Sequence, residues 1–174
     1  MHRTQNPTGT AADTTTELVV TPALTLRGAA DYLELRGWAR ARYYSGDGAF
    51  PSACALGAIG MAAHGCRTSI PTTALLETQG DFRRAAGYLT IYLNEQGIGS
   101  FHSEGDTDLT DIVGWNDSDC QTAKNVIATL RAAADEYDWE HASEDDLETY
   151  AENELDNDRI PAREGFLAWL AAHR

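Results

Sequence analysis

Pro51-Ser-Ala-Cys-Ala-Leu-Gly-Ala-Ile-Gly-Met-Ala-Ala-His-Gly65 carries almost no polar side chain over its whole length. Wound as a helix, Ala53, Cys54, Ala55, Leu56, Ala58, Ile59, Met61 and Ala62 leave no polar face, and such a helix is the buried centre of a fold. Pro51 or Ser52 predicts its start and His64-Gly65 its end, because proline suits the first helical turn and glycine the position just past the last. Its small side chains predict close-packed neighbours. The flanking segments also read as helices. Thr21-Pro22 and Gly37 bracket one, with Leu26, Ala29, Ala30 and Leu33 on one face and Trp38 just beyond it. Asp81 predicts the cap of another, running to Gln96 before Gly97, with Phe82, Ala85, Ala86, Leu89 and Leu93 inward. Thr107 or Asp108 opens a short helix through Ile112, Val113 and Trp115. Thr122 caps the next, whose stripe is Val126, Ile127, Leu130, Ala133, Ala134 and Tyr137.

Strand signals are confined to Leu18-Val19-Val20, and Ser45-Gly-Asp-Gly48 reads as a turn. The pattern predicts an all-α fold. A flexible arm over 1–20 precedes a compact helical core over 21–137, and an acidic helical extension over 138–174 packs on that core.

The C-terminal part is distinguished by charge. From Asp135 to Asp158 there are twelve Asp or Glu residues and no Lys or Arg, within a chain of net charge −14. Leu147, Tyr150, Ala151 and Leu155 fall at i, i+3, i+4 and i+8, which predicts a packed helix with its carboxylates outward. Ser143 with Asp146 resembles a capping box. Pro161 then predicts the start of a last helix bearing Phe166, Leu167, Trp169 and Leu170. Residues three or four apart on a helix lie about 5–6 Å from each other. Glu144, Asp145, Glu148 and Glu152 therefore make a row of anions suited to a protein partner with a basic surface.

Composition removes several classes of function. No run approaches the roughly 20 apolar residues that span a bilayer, so no membrane association is expected. Met1 to Thr16 is polar and lacks the apolar core of a secretory signal. Cys54, Cys66 and Cys120 are too few for a disulfide framework, so a reducing cytoplasm is the expected location. An isoelectric point near 4.5 argues against direct nucleic-acid binding. Basic character is confined mainly to Arg36, Arg40, Arg42 and Arg83-Arg84, with Lys124 the only lysine. These arginines are expected to pair with the acidic helices or to mark a small partner patch.

Three stretches together resemble a family of small uncharacterised proteins of actinobacteria and their phages, classed as a domain of unknown function. They are Ala30-Asp-Tyr-Leu-Glu-Leu-Arg-Gly-Trp38, Ala53-Cys-Ala-Leu-Gly-Ala-Ile59, and Trp115-Asn-Asp117 followed by Thr122, Val126, Ile127 and Leu130. The resemblance covers about Thr21 to Glu136 and implies a fold type and a phage or actinobacterial setting, with no catalytic role. Asn125 stands where a Glu would complete a capping box with Thr122, and 138–174 lies beyond the common core.

Chemistry has few footholds. With Pro51 as the first helical residue, Cys54 sits about one turn into a helix, where amide donors and the dipole favour a thiolate. With His102, Asn116 and Asp117 it makes the candidate catalytic set of a cysteine-dependent hydrolase; the opposing reading is a small buried hydrophobe. Cys54, His64 and Cys66 with Cys120 or His102 lack zinc-ligand spacing, and Asp156-Asn-Asp158 lacks the glycine and register of an EF-hand. No metal and no cofactor are expected. Gly46-Asp-Gly48 is a turn rather than a phosphate loop. Trp115-Asn116-Asp117 reads either as a ligand-binding element or as a core tryptophan followed by turn and cap residues leading to Thr122. The resulting expectation is a non-catalytic, macromolecule-binding protein whose acidic face engages a host or defence protein. The hydrolase is the alternative, and a small structural virion or accessory protein the third reading.

Overall fold

The computed structural model describes residues 20–67, 80–98 and 109–173. Among them the chain forms α1 (Pro22–Arg36), β1 (Tyr44–Ser45), β2 (Ser52–Ala53), α2 (Ala55–His64), α3 (Gly80–Glu95), α4 (Leu109–Asp117), α5 (Ala123–Glu140), α6 (Glu144–Asp156) and α7 (Arg163–His173). The fold is all-α apart from the two-residue antiparallel pair β1–β2. The arm expected before Val20, together with His102, Thr107 and Asp108, lies outside the described residues.

α2 is the centre, as its composition predicts. Every residue from Ala55 to Met61 is buried, and exposure begins at Ala62. α1 packs across it and against α5, while α3 and α4 close the remaining sides. Small residues set these distances. A Cβ on Gly28 of α1 would stand 3.3 Å from Ala62 Cβ, and one on Gly57 would meet the Tyr43 carbonyl oxygen at 2.4 Å. The stripes of α1, α3 and α5 point inward: Leu26, Leu33, Leu89, Leu93, Val126 and Leu130 are all buried.

The caps follow hydroxyl chemistry. Thr21 Oγ1 accepts from Leu24 N–H at 3.2 Å, Thr122 Oγ1 from Asn125 N–H at 3.2 Å, and Ser143 Oγ from Asp146 N–H at 3.1 Å. Asp146 is too short to reach back to the main chain of Ser143 and accepts from its hydroxyl instead, at 2.7 Å.

Several boundaries differ from expectation. α2 starts at Ala55 because Ser52-Ala53 is held extended: Ala53 N–H donates to Gly37 O at 3.2 Å, and its carbonyl accepts from Ala39 N–H at 2.8 Å. Cys54 is therefore the N-cap, not a residue one turn inside. Asp81 lies within the first turn of α3, paired with Arg84, rather than capping it. α7 begins at Arg163, not at Pro161. In α6, Tyr150 is buried and Leu147 and Ala151 half-buried, but Leu155 is 63% exposed and falls outside the packed stripe.

α6 and α7 enclose a second, smaller core of Tyr150, Phe166 and Leu170. Tyr150 ties the pair together: its hydroxyl donates to Ala162 O at 3.1 Å and accepts from Ala162 N–H at 3.2 Å. α7 leans on the last turns of α5, where Trp139 meets Phe166 edge-on with ring centroids 5.8 Å apart.

Ile59→Asp places an uncompensated carboxylate in the centre of the main core and is expected to abolish cooperative folding. A melting transition for that variant within a few degrees of wild type, followed by circular dichroism, would contradict the central position of α2.

Candidate functional site

Asn116 is the best-connected polar residue of the interior. Only 1% exposed, it occupies the last turn of α4. Its Oδ1 accepts from Trp38 Nε1 at 2.8 Å and from Ala55 N–H at 3.0 Å. Its Nδ2 donates to Ala39 O at 3.4 Å and to Asp117 Oδ1 at 2.7 Å. Both lone pairs and both hydrogens of the amide are used, which satisfies a buried polar group in full. Asp117 continues the contact by accepting from Ala41 N–H at 2.9 Å, and this holds Ala41 in the left-handed region at φ 60°. Arg40 closes the outside through two bonds to Asp117 O and one to Asp119.

The expected turn-and-cap role of Asn116 and Asp117 toward Thr122 is thus replaced by a clamp. The pair reaches back to the segment after α1 and to the first amide of α2. Trp115 fills the core at 3% exposure, and its indole N–H has no acceptor among the described residues.

Cys54, Asn116 and Asp117, far apart in sequence, do meet. With Ala41, Tyr43 and Val113 they line a cavity of about 100 Å³, smaller than the roughly 150 Å³ cavity that takes up benzene. Cys54 Sγ accepts from Gly57 N–H at 3.4 Å. Burial pushes the thiol pKa up, outweighing the lowering by the amides of Gly57 and Leu56, and the charge of Asp117 raises it further. This is the reverse of an activated thiol, even at a helix N-terminus. His64 stands at the far end of α2, about 15 Å along a helix of this length. That separation also keeps His64 and Cys66 from sharing a metal with Cys54. Among the described residues no group of three or more His, Cys, Asp or Glu could hold a metal ion, and no helix is long and apolar enough to cross a membrane.

The acidic run divides in two. Carboxylates on α5 are matched from distant elements: Arg27 of α1 bonds Asp135 and the buried Asp138 at 2.5 Å each, and Arg163 of α7 bonds Glu136 at 2.6 Å. Burial works against the Arg27 charge, but its bonds to Asp138 and Asp135 prevail and raise its pKa. Glu140 accepts from Tyr88 Oη at 2.6 Å. On α6 the picture changes. Glu154 is held by Arg159, but Glu144, Asp145, Glu148 and Glu152 are exposed, and no Arg or Lys among the described residues pairs with them. Arg40 pairs with Asp119 and Arg84 with Asp81 three residues before it, and Arg36 lies 5.2 Å over the Phe50 ring. None of the three reaches α6. Sequence reading missed Arg27 and Trp38 as organising residues. A signal for the first existed in Asp135 and Asp138, which share one face of α5 opposite a helix with Arg27 in its middle and Arg36 only at its last position.

A family model described as a family of unknown function (DUF6197) matches residues 18–136. The chain belongs to this family. All three motif stretches lie within the DUF6197 span, and they converge on the Asn116 amide through Trp38, Ala55 and Asn116 itself. The DUF6197 match ends within α5, so α6 and α7, with the exposed carboxylates of α6, lie past it. Searches of curated proteins and of solved structures each gave no match.

Two measurements test the clamp. Asn116→Ala strands the Trp38 and Ala55 donors, each at about 1–3 kcal/mol, and denaturant titration should show a loss of at least that size. A change below about 0.5 kcal/mol, the scale of an ordinary surface substitution, would remove Asn116 from its central place. Iodoacetamide at neutral pH should label the exposed Cys66 and Cys120 and leave Cys54 untouched until the chain is denatured. Labelling of Cys54 faster than an unfolded-chain thiol would restore the nucleophile reading.

Proposed function

We propose that this chain is a non-catalytic, macromolecule-binding protein whose acidic α6 face engages a basic surface on a protein partner. The observation that carries the reading is the uneven neutralisation of the acidic run. Arginines from α1 and α7 cover carboxylates of α5, while Glu144, Asp145, Glu148 and Glu152 stay exposed and have no Arg or Lys partner among the described residues. A net charge of −14 also exceeds the roughly 2–8 that keeps a small domain soluble, so solubility alone does not account for the row. An array of like charge on a rigid helix steers a cationic partner and costs the free protein some self-repulsion.

The phage or actinobacterial setting implied by the motif resemblance supports a host or defence protein as the partner. A small accessory or virion protein uses the same face in a different assembly. The cysteine-hydrolase alternative draws on the gathering of Cys54, Asn116 and Asp117, but the raised thiol pKa and the small cavity favour the binding reading.

Charge steering has a kinetic signature. With a partner captured from a host lysate and identified by mass spectrometry, the association rate should fall as salt shortens the Debye length from about 10 Å at 0.1 M to about 3 Å at 1 M. Replacing Glu144, Glu148 and Glu152 together by Gln should slow association several-fold at low salt and leave the melting temperature unchanged or slightly higher. Equal rates for that variant and wild type at both salt concentrations would reduce the row to a solvated surface.

A further inference from the structure

We infer that the partner contributes a basic amphipathic helix, whose apolar anchor enters a groove between α5, α6 and α7 while its cations lie on the α6 carboxylates. This rests on the acidic-face reading and specifies the partner's chemistry.

The groove measures about 270 Å³ and is lined by Trp139, Leu147, Tyr150, Ala151, Arg163 and Phe166 among others. That is more than the roughly 150 Å³ that admits a benzene ring and less than the roughly 300–1,000 Å³ of pockets for drug-sized ligands. It suits one or two bulky side chains. Its wall offers a polar ligand little beyond the buried Nε of Arg163, which has no partner among the described residues. The Tyr150 hydroxyl is engaged in both directions by Ala162, and Arg163 is held by Glu136 with its guanidinium 5.7 Å over the Trp139 ring. The rest of the lining is rings and aliphatic carbons, with Trp139 39% exposed beside them.

The charge map selects the occupant. Successive residues on a helix turn by about 100°. Taking Leu147 as origin, Ala151 stands about 40° round, Glu144 about 60°, Glu148 about 100° and Glu152 about 140°. The carboxylates therefore begin where the groove lining ends, on the same side of α6. Leu155, 63% exposed, falls among them at about 80°. An apolar surface bordered by a one-sided anionic row is complementary to a segment with an apolar stripe flanked by Lys or Arg, the helix-in-groove mode of recognition. A second copy docking through the same face would set Glu144, Glu148 and Glu152 against themselves, which opposes self-association there.

The test uses the full chain and two synthetic helical probes. One is a lysine–alanine peptide with two leucines at i, i+4; the other carries serines in their place. Fluorescence anisotropy at low salt should show the leucine peptide binding about tenfold or more tightly than the serine peptide. Its binding should change the emission of wild type but not of a Trp139→Phe variant. Ala151→Trp fills the groove and should erase the difference between peptides while both retain weak, salt-sensitive binding. Should that variant fail to fold, the two peptides against wild type, with the Trp139 emission, still decide. Equal affinity of the two peptides for wild type overturns the groove and leaves the acidic face standing. Absence of binding by either peptide at low salt overturns both readings. A concentration-dependent dimer in sedimentation, lost in Ala151→Trp, makes a second copy the occupant and overturns the basic helix.

Discussion

The fold depends on one amide. Asn116 joins the end of α4 to the chain leaving α1 and to the start of α2, with every hydrogen-bonding position of its side chain filled. Three parts of the sequence must be placed correctly before any of those bonds can form, so the group is cooperative: losing one arm leaves buried donors or acceptors without partners. This gives the DUF6197 motifs a physical meaning. Trp38 supplies an indole donor, Ala53 to Ala55 supply a stretch held extended and then an unpaired first-turn amide, and Asn116 completes both. The small residues near this junction fit the same need. Gly57 sits where a side chain would strike the Tyr43 carbonyl, which is itself bound to Cys54 N–H at 3.0 Å.

Around that junction, charge is divided by position. The arginine at residue 27 crosses from α1 to the carboxylates of α5 and neutralises a nearly buried aspartate, so the acidity there belongs to the core's own cohesion. Farther along, α6 makes no comparable arrangement. The boundary between structural and available charge falls near the end of α5, close to where the DUF6197 match also ends.

Much of this was legible in the sequence. Thr21, Thr122 and Ser143 announced their helices because a cap is a local bond between residues three apart. The apolar α2 announced the centre because burial leaves no other use for such a segment. What failed was non-local. The start of α2 is delayed by strand pairing with Tyr44-Ser45, and two-residue strands leave no periodic trace. The acidic run read as uncompensated because its cations sit more than a hundred positions away, at Arg27, or beyond it, at Arg163. Asn116 and Asp117 read as turn formers because Asn and Asp usually are, and nothing local reveals a partner such as Trp38. Leu155 fits the apolar spacing but falls about 80° round the helix from Leu147, among the carboxylates, and is exposed there.

The two cores differ greatly in size, and α7 joins the smaller to the larger through α5. With so few buried residues of their own, α6 and α7 are expected to open at a lower free energy than the main core. Amide hydrogen exchange would resolve such an opening as a separate class of protons. A ligand bound between these helices would favour their closed form by mass action, so exchange protection of α6 and α7 would report its occupancy.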